Sequence, residues 1–181
     1  MLSDAFESII EQDFAIAYLK LLGQMYYKHI TVTTLVEAAG YGRATFYAYF
    51  SGLKDLRQKL NAYDLAETES IFESVIKIDN SEERIKYLLE HFIPHIKMFW
   101  PLMCDNNMPD HREDMKICLH NIFRESFYKR FKDTKFDDVL VESFCISGTI
   151  HMMVKHFWFG SDVNHPETIL SMVELINHMM F

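Results

Sequence analysis

Apolar positions define the first element of the chain. Phe6, Ile9, Ile10, Phe14, Ala17, Tyr18, Leu21, Leu22, Met25 and Tyr26 recur at intervals of three and four residues, the spacing that lines one face of a helix. His29-Ile30-Thr31 breaks that pattern. Thr31 is well placed as an N-cap, its hydroxyl accepting from backbone N–H groups of the turn that follows. Val32, Leu35, Val36 and Ala39 predict a short second helix, and Gly40 its stop. Beyond Tyr41-Gly42 a third short helix is expected from Arg43 to Phe50, with Phe46 and Phe50 on one face. Ser51-Gly52 punctuates, and a long helix is expected from near Leu53 to about Lys77.

The remaining pattern is also helical. Asn80-Ser81-Glu82-Glu83 is a start signal, with acids in the first turn where they complement the helix dipole's positive end. A kink or stop is expected near Pro94, followed by a helix from His95 to about Asp105. Another helix is expected from Pro109-Asp110 to about Phe131, and a long one from Asp137 to Phe159, ended by Gly160. Asn164-His165-Pro166 fits a cap followed by Pro near the first helical position, opening a last helix. The fold class is all-α with about nine helices. Only 6 Gly and 4 Pro in 181 residues leave too little punctuation for a sandwich or barrel of short strands.

Composition narrows the class. With 49% hydrophobic residues the chain can bury a sizeable core, and its length suits one main domain or one with a small module attached. The longest markedly apolar run free of charged side chains, Ser143 to Val154, is too short to span a bilayer. The first residues carry acids and no early Lys or Arg, unlike a secretory signal. Cys104, Cys118 and Cys145 are far apart and odd in number, which suits reduced thiols. A cytoplasmic protein without membrane attachment is expected.

Charge changes the picture. The net charge of −8 argues against a generally basic nucleic-acid coat. Yet residues 1–60 carry six basic and six acidic side chains, while residues 61–181 carry twelve and twenty. Within 20–59, Lys20, Lys28, Arg43, Lys54, Arg57 and Lys59 face only Glu37 and Asp55. The locally basic segment coincides with two short helices joined by a tight Gly turn after a longer helix, which is a helix-turn-helix. Ala38, Ala39 and Gly40 permit close approach of the two short helices. The N-terminal end of the third helix is the one such a module inserts into the major groove. There Arg43 can be bidentate to a guanine edge, and Thr45 can meet a base or a phosphate. Tyr47 and Tyr49 lie off the Phe46/Phe50 face, with hydroxyls able to reach phosphates.

Ile30-Thr31-Val32, Leu35, Ala38-Ala39-Gly40, Arg43, Thr45-Phe46-Tyr47, Tyr49-Phe50 and Leu56 together resemble the TetR family of bacterial transcriptional regulators. The resemblance is dense over residues 14–56; in the rest of the chain it lies in the helical pattern alone. It implies a homodimer with a helix-turn-helix DNA-binding domain over 1–52 and a helical effector-binding and dimerisation domain over 53–181. It implies a double-stranded DNA operator as partner and a small-molecule effector, with no cofactor and no enzymatic activity. The positions it implies at DNA are Thr31, Thr33, Arg43, Ala44, Thr45, Tyr47, Tyr49 and Lys54. This chain departs from the family in having Tyr41-Gly42 where Val-Ser is common, and Ala44 where Gly commonly follows the arginine. Leu53 stands where the family's phosphate-binding lysine is common, with Lys54 one residue on. The segment 147–160 and the Pro-led last helix resemble the family's dimer-forming end, and Ile150, Met153, Phe157, Ile169, Met172, Val173 and Ile176 are the positions expected there.

Aromatic and Met-rich stretches in the second half can line an apolar cavity, since Met adapts to irregular shapes. The candidates are Phe92, His95, Phe99, Trp100, Met103, Phe123, Phe127 and His151. Core packing or a dimer seam explains the same residues equally well. His91 and His95 have the i, i+4 spacing of two metal ligands, but no HExxH pattern accompanies them and no metal site is expected. The function expected is a repressor released from its operator by a small molecule. Alternatives are an activator, control by a protein partner, or a helical small-molecule-binding protein without DNA binding.

Overall fold

The structure, a computed structural model, describes residues 6–103, 109–131, 147–148 and 166–180. Its elements are α1 (Ile9–Leu22), a 3-10 turn (Tyr27–His29), α2 (Val32–Ala39), α3 (Arg43–Tyr49), α4 (Leu53–Ile76), α5 (Ser81–Tyr87), a π turn (Leu88–Phe92), α6 (Ile93–Met103), α7 (Pro109–Phe131) and α8 (Pro166–Met180). Among the described residues there is no strand. Because α5, the π turn and α6 are continuous, these segments amount to seven helices, so nine are not reached among the described residues. The helix expected from Asp137 to Phe159 lies outside the described residues, apart from 147–148. Among the described residues, no helix is long and apolar enough to cross a membrane.

The chain divides into two compact units, one of Met1–Ala66 with Met98–Arg112 and one of Glu67–Lys97 with Glu113–Phe181. The first is built around Phe14, which is fully buried. Its ring meets Phe46 edge-on at 5.4 Å, Phe50 edge-on at 6.1 Å and Tyr41 at 5.2 Å, geometries that aromatic quadrupoles favour. Leu35 and Val36 of α2 and Leu56, Leu60 and Tyr63 of α4 complete this core, joined by Phe99 and Leu102 of α6. The first half of α4 therefore packs with the helix-turn-helix, so the compact unit extends past the Ser51-Gly52 punctuation to Ala66.

Polar contacts fix the same unit. Ser8 caps α1 by accepting from the Glu11 N–H at 3.1 Å. The buried Glu11 carboxylate pairs with Lys59 of α4 at 2.9 Å, and that ammonium sits 5.1 Å from the Phe50 ring centroid. His111 of α7 is buried with its Nδ1 against Asn61 Oδ1 and its Nε2 3.0 Å from Asp64 Oδ2. The latter contact is close but not aligned as a hydrogen bond.

In the second unit Phe72 and Phe92 meet at 4.9 Å among buried Ile71, Val75, Leu88 and Ile93. Asn80 caps α5, accepting from Glu83 N–H at 3.0 Å. Arg84 donates to the carbonyls of Ile78 and Asp79 at 2.8 and 2.9 Å and to Asn177 Oδ1 of α8 at 2.9 Å. The break expected at Pro94 takes another form. Proline has no N–H to give and its ring crowds the carbonyl four residues back. The helix widens by one residue through Leu88–Phe92, with the Ile93 N–H bonded to the Leu88 carbonyl, and continues.

Candidate nucleic-acid interface

The turn of the helix-turn-helix follows from local chemistry. Thr31 and Thr34 form a reciprocal capping box: Thr34 N–H donates to Thr31 Oγ1 at 3.2 Å and Thr31 N–H to Thr34 Oγ1 at 2.8 Å. At the other end Gly40 is left-handed with φ 77°, and Tyr41 N–H reaches the Val36 carbonyl at 2.9 Å. That six-to-one bond is a Schellman closure, which turns the chain sharply where a Cβ would be strained. Tyr41 then donates its hydroxyl to Asp13 Oδ2 of α1 at 2.7 Å. This bond, then burial and the negative charge of Asp13, raise the Tyr41 pKa above its ordinary value. The turn is thus pinned to α1 by a contact across 28 positions of sequence.

Helix α3 begins at Gly42, which has no side chain to cap it. Its inner face is Phe46, with Phe50 at its C-terminal end. Its outer face presents Arg43, Ala44, Tyr47 and Ala48, with Tyr47 57% exposed. Thr45 and Tyr49 are half-buried. On α2, Thr31 is exposed and Thr33 half-buried. Arg43 donates through Nη2 to Thr33 Oγ1, so two of the candidate DNA residues touch each other across the turn. Lys54 is exposed in the first turn of α4, whose start is tied by Asp55 accepting from Ser51 N–H at 2.8 Å and Ser51 Oγ at 3.2 Å.

A crystal structure of PfmR, a TetR family transcriptional regulator from Thermus thermophilus, superposes on this chain with a TM-score of 0.64 at 16% sequence identity, covering 93% of this chain and 96% of that one. The fold is TetR-like. No family model and no curated protein sequence matches the chain.

Within the TetR-like fold the expected effector residues separate. Phe92 and His95 are buried in the second unit, where His95 Nε2 lies 3.3 Å from Thr68 Oγ1. Phe99 is buried in the core of the first unit, its ring 5.5 Å from Tyr63, and Trp100 is half-buried in that unit. The side chains of Met103, Phe123 and Phe127, and all of His151, lie outside the described residues. His91 is exposed against the Tyr87 ring while His95 is buried, so the two imidazoles do not share an environment. Among the described residues no three His, Cys, Asp or Glu side chains are grouped to hold a metal.

Of the expected dimer positions, Ile150, Met153 and Phe157 lie outside the described residues. Met172, Val173 and Ile176 are buried on the face of α8 that packs on α5 and the π turn, which leaves them no surface for a second copy to cover. Ile169 is half-buried, and the outward apolar side chains of α8 are Leu170 and Leu175. Asp13, Glu11 and Lys59 are contacts that the sequence pattern does not reveal. They act across long separations, and no local signal marks them.

Proposed function

We propose that this TetR-like protein is a DNA-binding transcriptional regulator that works as a homodimer and represses until a small molecule releases it. One observation carries the reading. A seven-residue helix, braced from behind by Phe46, Phe50 and Phe14, holds an exposed Arg43, Ala44 and Tyr47 on its outer face. An arginine so placed can donate two parallel hydrogen bonds to the O6 and N7 of guanine. The methyl of Ala44 suits a thymine methyl, while Thr31, Tyr47, Tyr49 and Lys54 supply donors for phosphates. Thr45 serves either partner.

Two such heads in one dimer read two half-sites about one helical turn, roughly 34–36 Å, apart. In the second unit, Leu170 and Leu175 are the exposed apolar side chains of α8 available to a second copy, and Ile169 is half-buried toward the inward stripe. An effector bound in the same unit acts by favouring a dimer whose heads miss that spacing, through its different affinity for the two states. The buried Thr68–His95 pair, in the same unit as buried Phe92, is the polar handle we assign to it.

The test is selection of duplexes from random sequence by the purified chain. Recovery of a palindromic motif, weakened by Arg43→Ala with relaxed preference at one base step, is the expected result. Failure to enrich any sequence refutes the reading.

A further inference from the structure

We propose that the turn between α1 and α2, through Lys28 supported by Tyr26, Tyr27 and His29, is a second DNA contact that grips backbone phosphate beside the half-site read by α3. The inference rests on the functional reading above and adds a surface to it. The turn has a fixed shape: His29 N–H bonds the Tyr26 carbonyl at 2.9 Å, Ile30 N–H bonds the Tyr27 carbonyl at 3.0 Å, and Ile30 is buried in the core. Outside that anchor the side chains point to solvent. Tyr26 is half exposed, and Lys28 and His29 are exposed. The Tyr26 and Tyr27 rings lie 4.5 Å apart, the His29 ring is 5.9 Å from Tyr26, and Lys28 Nζ stands 5.7 Å from both tyrosine centroids. The ammonium is thus carried on a small aromatic platform instead of being tied to an acid.

Charge on the head leaves this lysine available. Lys59 is neutralised by Glu11, whereas Lys28 pairs with no carboxylate among the described residues. Residues 14–36 contain no Asp or Glu at all. A cation kept beside aromatic hydroxyls in an acid-free segment matches the phosphate backbone, which accepts from Lys and Tyr alike. Position supports the same partner. Lys28 precedes the exposed Thr31 by three residues, a chain reach of at most about 11 Å. Successive phosphates of one strand climb only about 3.4 Å along the duplex axis. A head seated through Thr31 and Arg43 therefore has flanking phosphates within reach of Lys28.

The experiment measures the affinity of the full chain by fluorescence anisotropy, over a range of salt, for a random-sequence duplex and for the duplex recovered by selection. Lys28→Ala should weaken both equally and flatten the log–log salt slope by about 0.9 for each head engaged, and Lys28→Arg should restore it. Ethylation interference on the selected duplex should lose a phosphate outside the major-groove contact. Lys86→Ala, an exposed charge change on α5, should leave the slope unmoved. With wild type binding, an unchanged slope and interference pattern in Lys28→Ala overturns this contact and leaves the functional reading intact. So does a loss confined to the selected sequence, because phosphate carries none, or an equal slope change in Lys86→Ala. If the wild type binds no duplex, the functional reading itself fails and this contact falls with it.

Discussion

The contact between Arg43 and Thr33 makes a quantitative prediction about reading DNA. Arginine loses about 2 kcal/mol of rotamer freedom when fully fixed, and a guanidinium already resting on Thr33 Oγ1 has lost part of it before DNA arrives. Hydrogen bonds to charged groups contribute about 1.5–3 kcal/mol when buried. Arg43 is exposed and Thr33 half-buried in the free protein, where exposed ion pairs contribute at most about 1 kcal/mol. The coupling that survives into a complex is therefore about 1 kcal/mol, a factor of about five in affinity. Thr33→Val keeps the β-branched shape and removes the acceptor. It should cost that factor on the selected duplex and relax preference at the base step read by Arg43, leaving random-sequence affinity and salt slope unchanged. Arg43→Ala alone should cost about 1–3 kcal/mol, and in the double variant Thr33→Val should add almost nothing. Anisotropy titrations of the four proteins close the cycle. Additivity within about 0.3 kcal/mol would refute positioning. Equal loss on random DNA would instead make Thr33 a direct phosphate contact.

Three further outcomes follow from the head's construction. Gly40→Ala should lower stability by about 1–2 kcal/mol in denaturant melts, because its φ of 77° is left-handed; an unchanged midpoint would mean the turn relaxes freely. His111→Leu should cost about 1–3 kcal/mol by taking a buried polar partner from Asn61 and Asp64, and an unchanged melting temperature would remove this contact from the account. Tyr41 has a raised pKa in the folded state, so its contribution is complete below the unfolded value of about 10 and is lost as pH climbs through the folded one. Tyr41→Phe should therefore be less stable than wild type at neutral pH and show a shallower alkaline decline in thermal melts; parallel decline would remove the Asp13 bond from the account.

The short helices were legible because their signals are local. Thr31 and Gly40 mark where α2 begins and ends, and each works through atoms no more than five residues away. The outward and inward faces of α3 were likewise readable from Phe46 and Phe50. The boundary of the head was less legible, since Ser51-Gly52 is a break in backbone pattern and says nothing about packing. Leu56, Leu60 and Tyr63 return to the first core after that break. The Pro94 signal was real but ambiguous, because a missing donor can be met by a kink or by one widened turn, and the sequence does not choose.

The last helix shows why burial and partnership are different questions. Met172, Val173 and Ile176 have helical spacing, and the stripe they form is buried, as periodicity requires. Periodicity does not say whether the covering surface belongs to the same chain or to another. Here it is α5 and the π turn of the same unit, with Arg84 and Ser81 holding Asn177 of α8 by hydrogen bonds of 2.9 Å. The opposite face carries Leu170 and Leu175, 40% and 43% exposed, with exposed Glu167, Ser171, Glu174 and His178 between them. At 100° per residue the two leucines stand about 140° apart, so that face is polar along its middle and apolar only at its two edges.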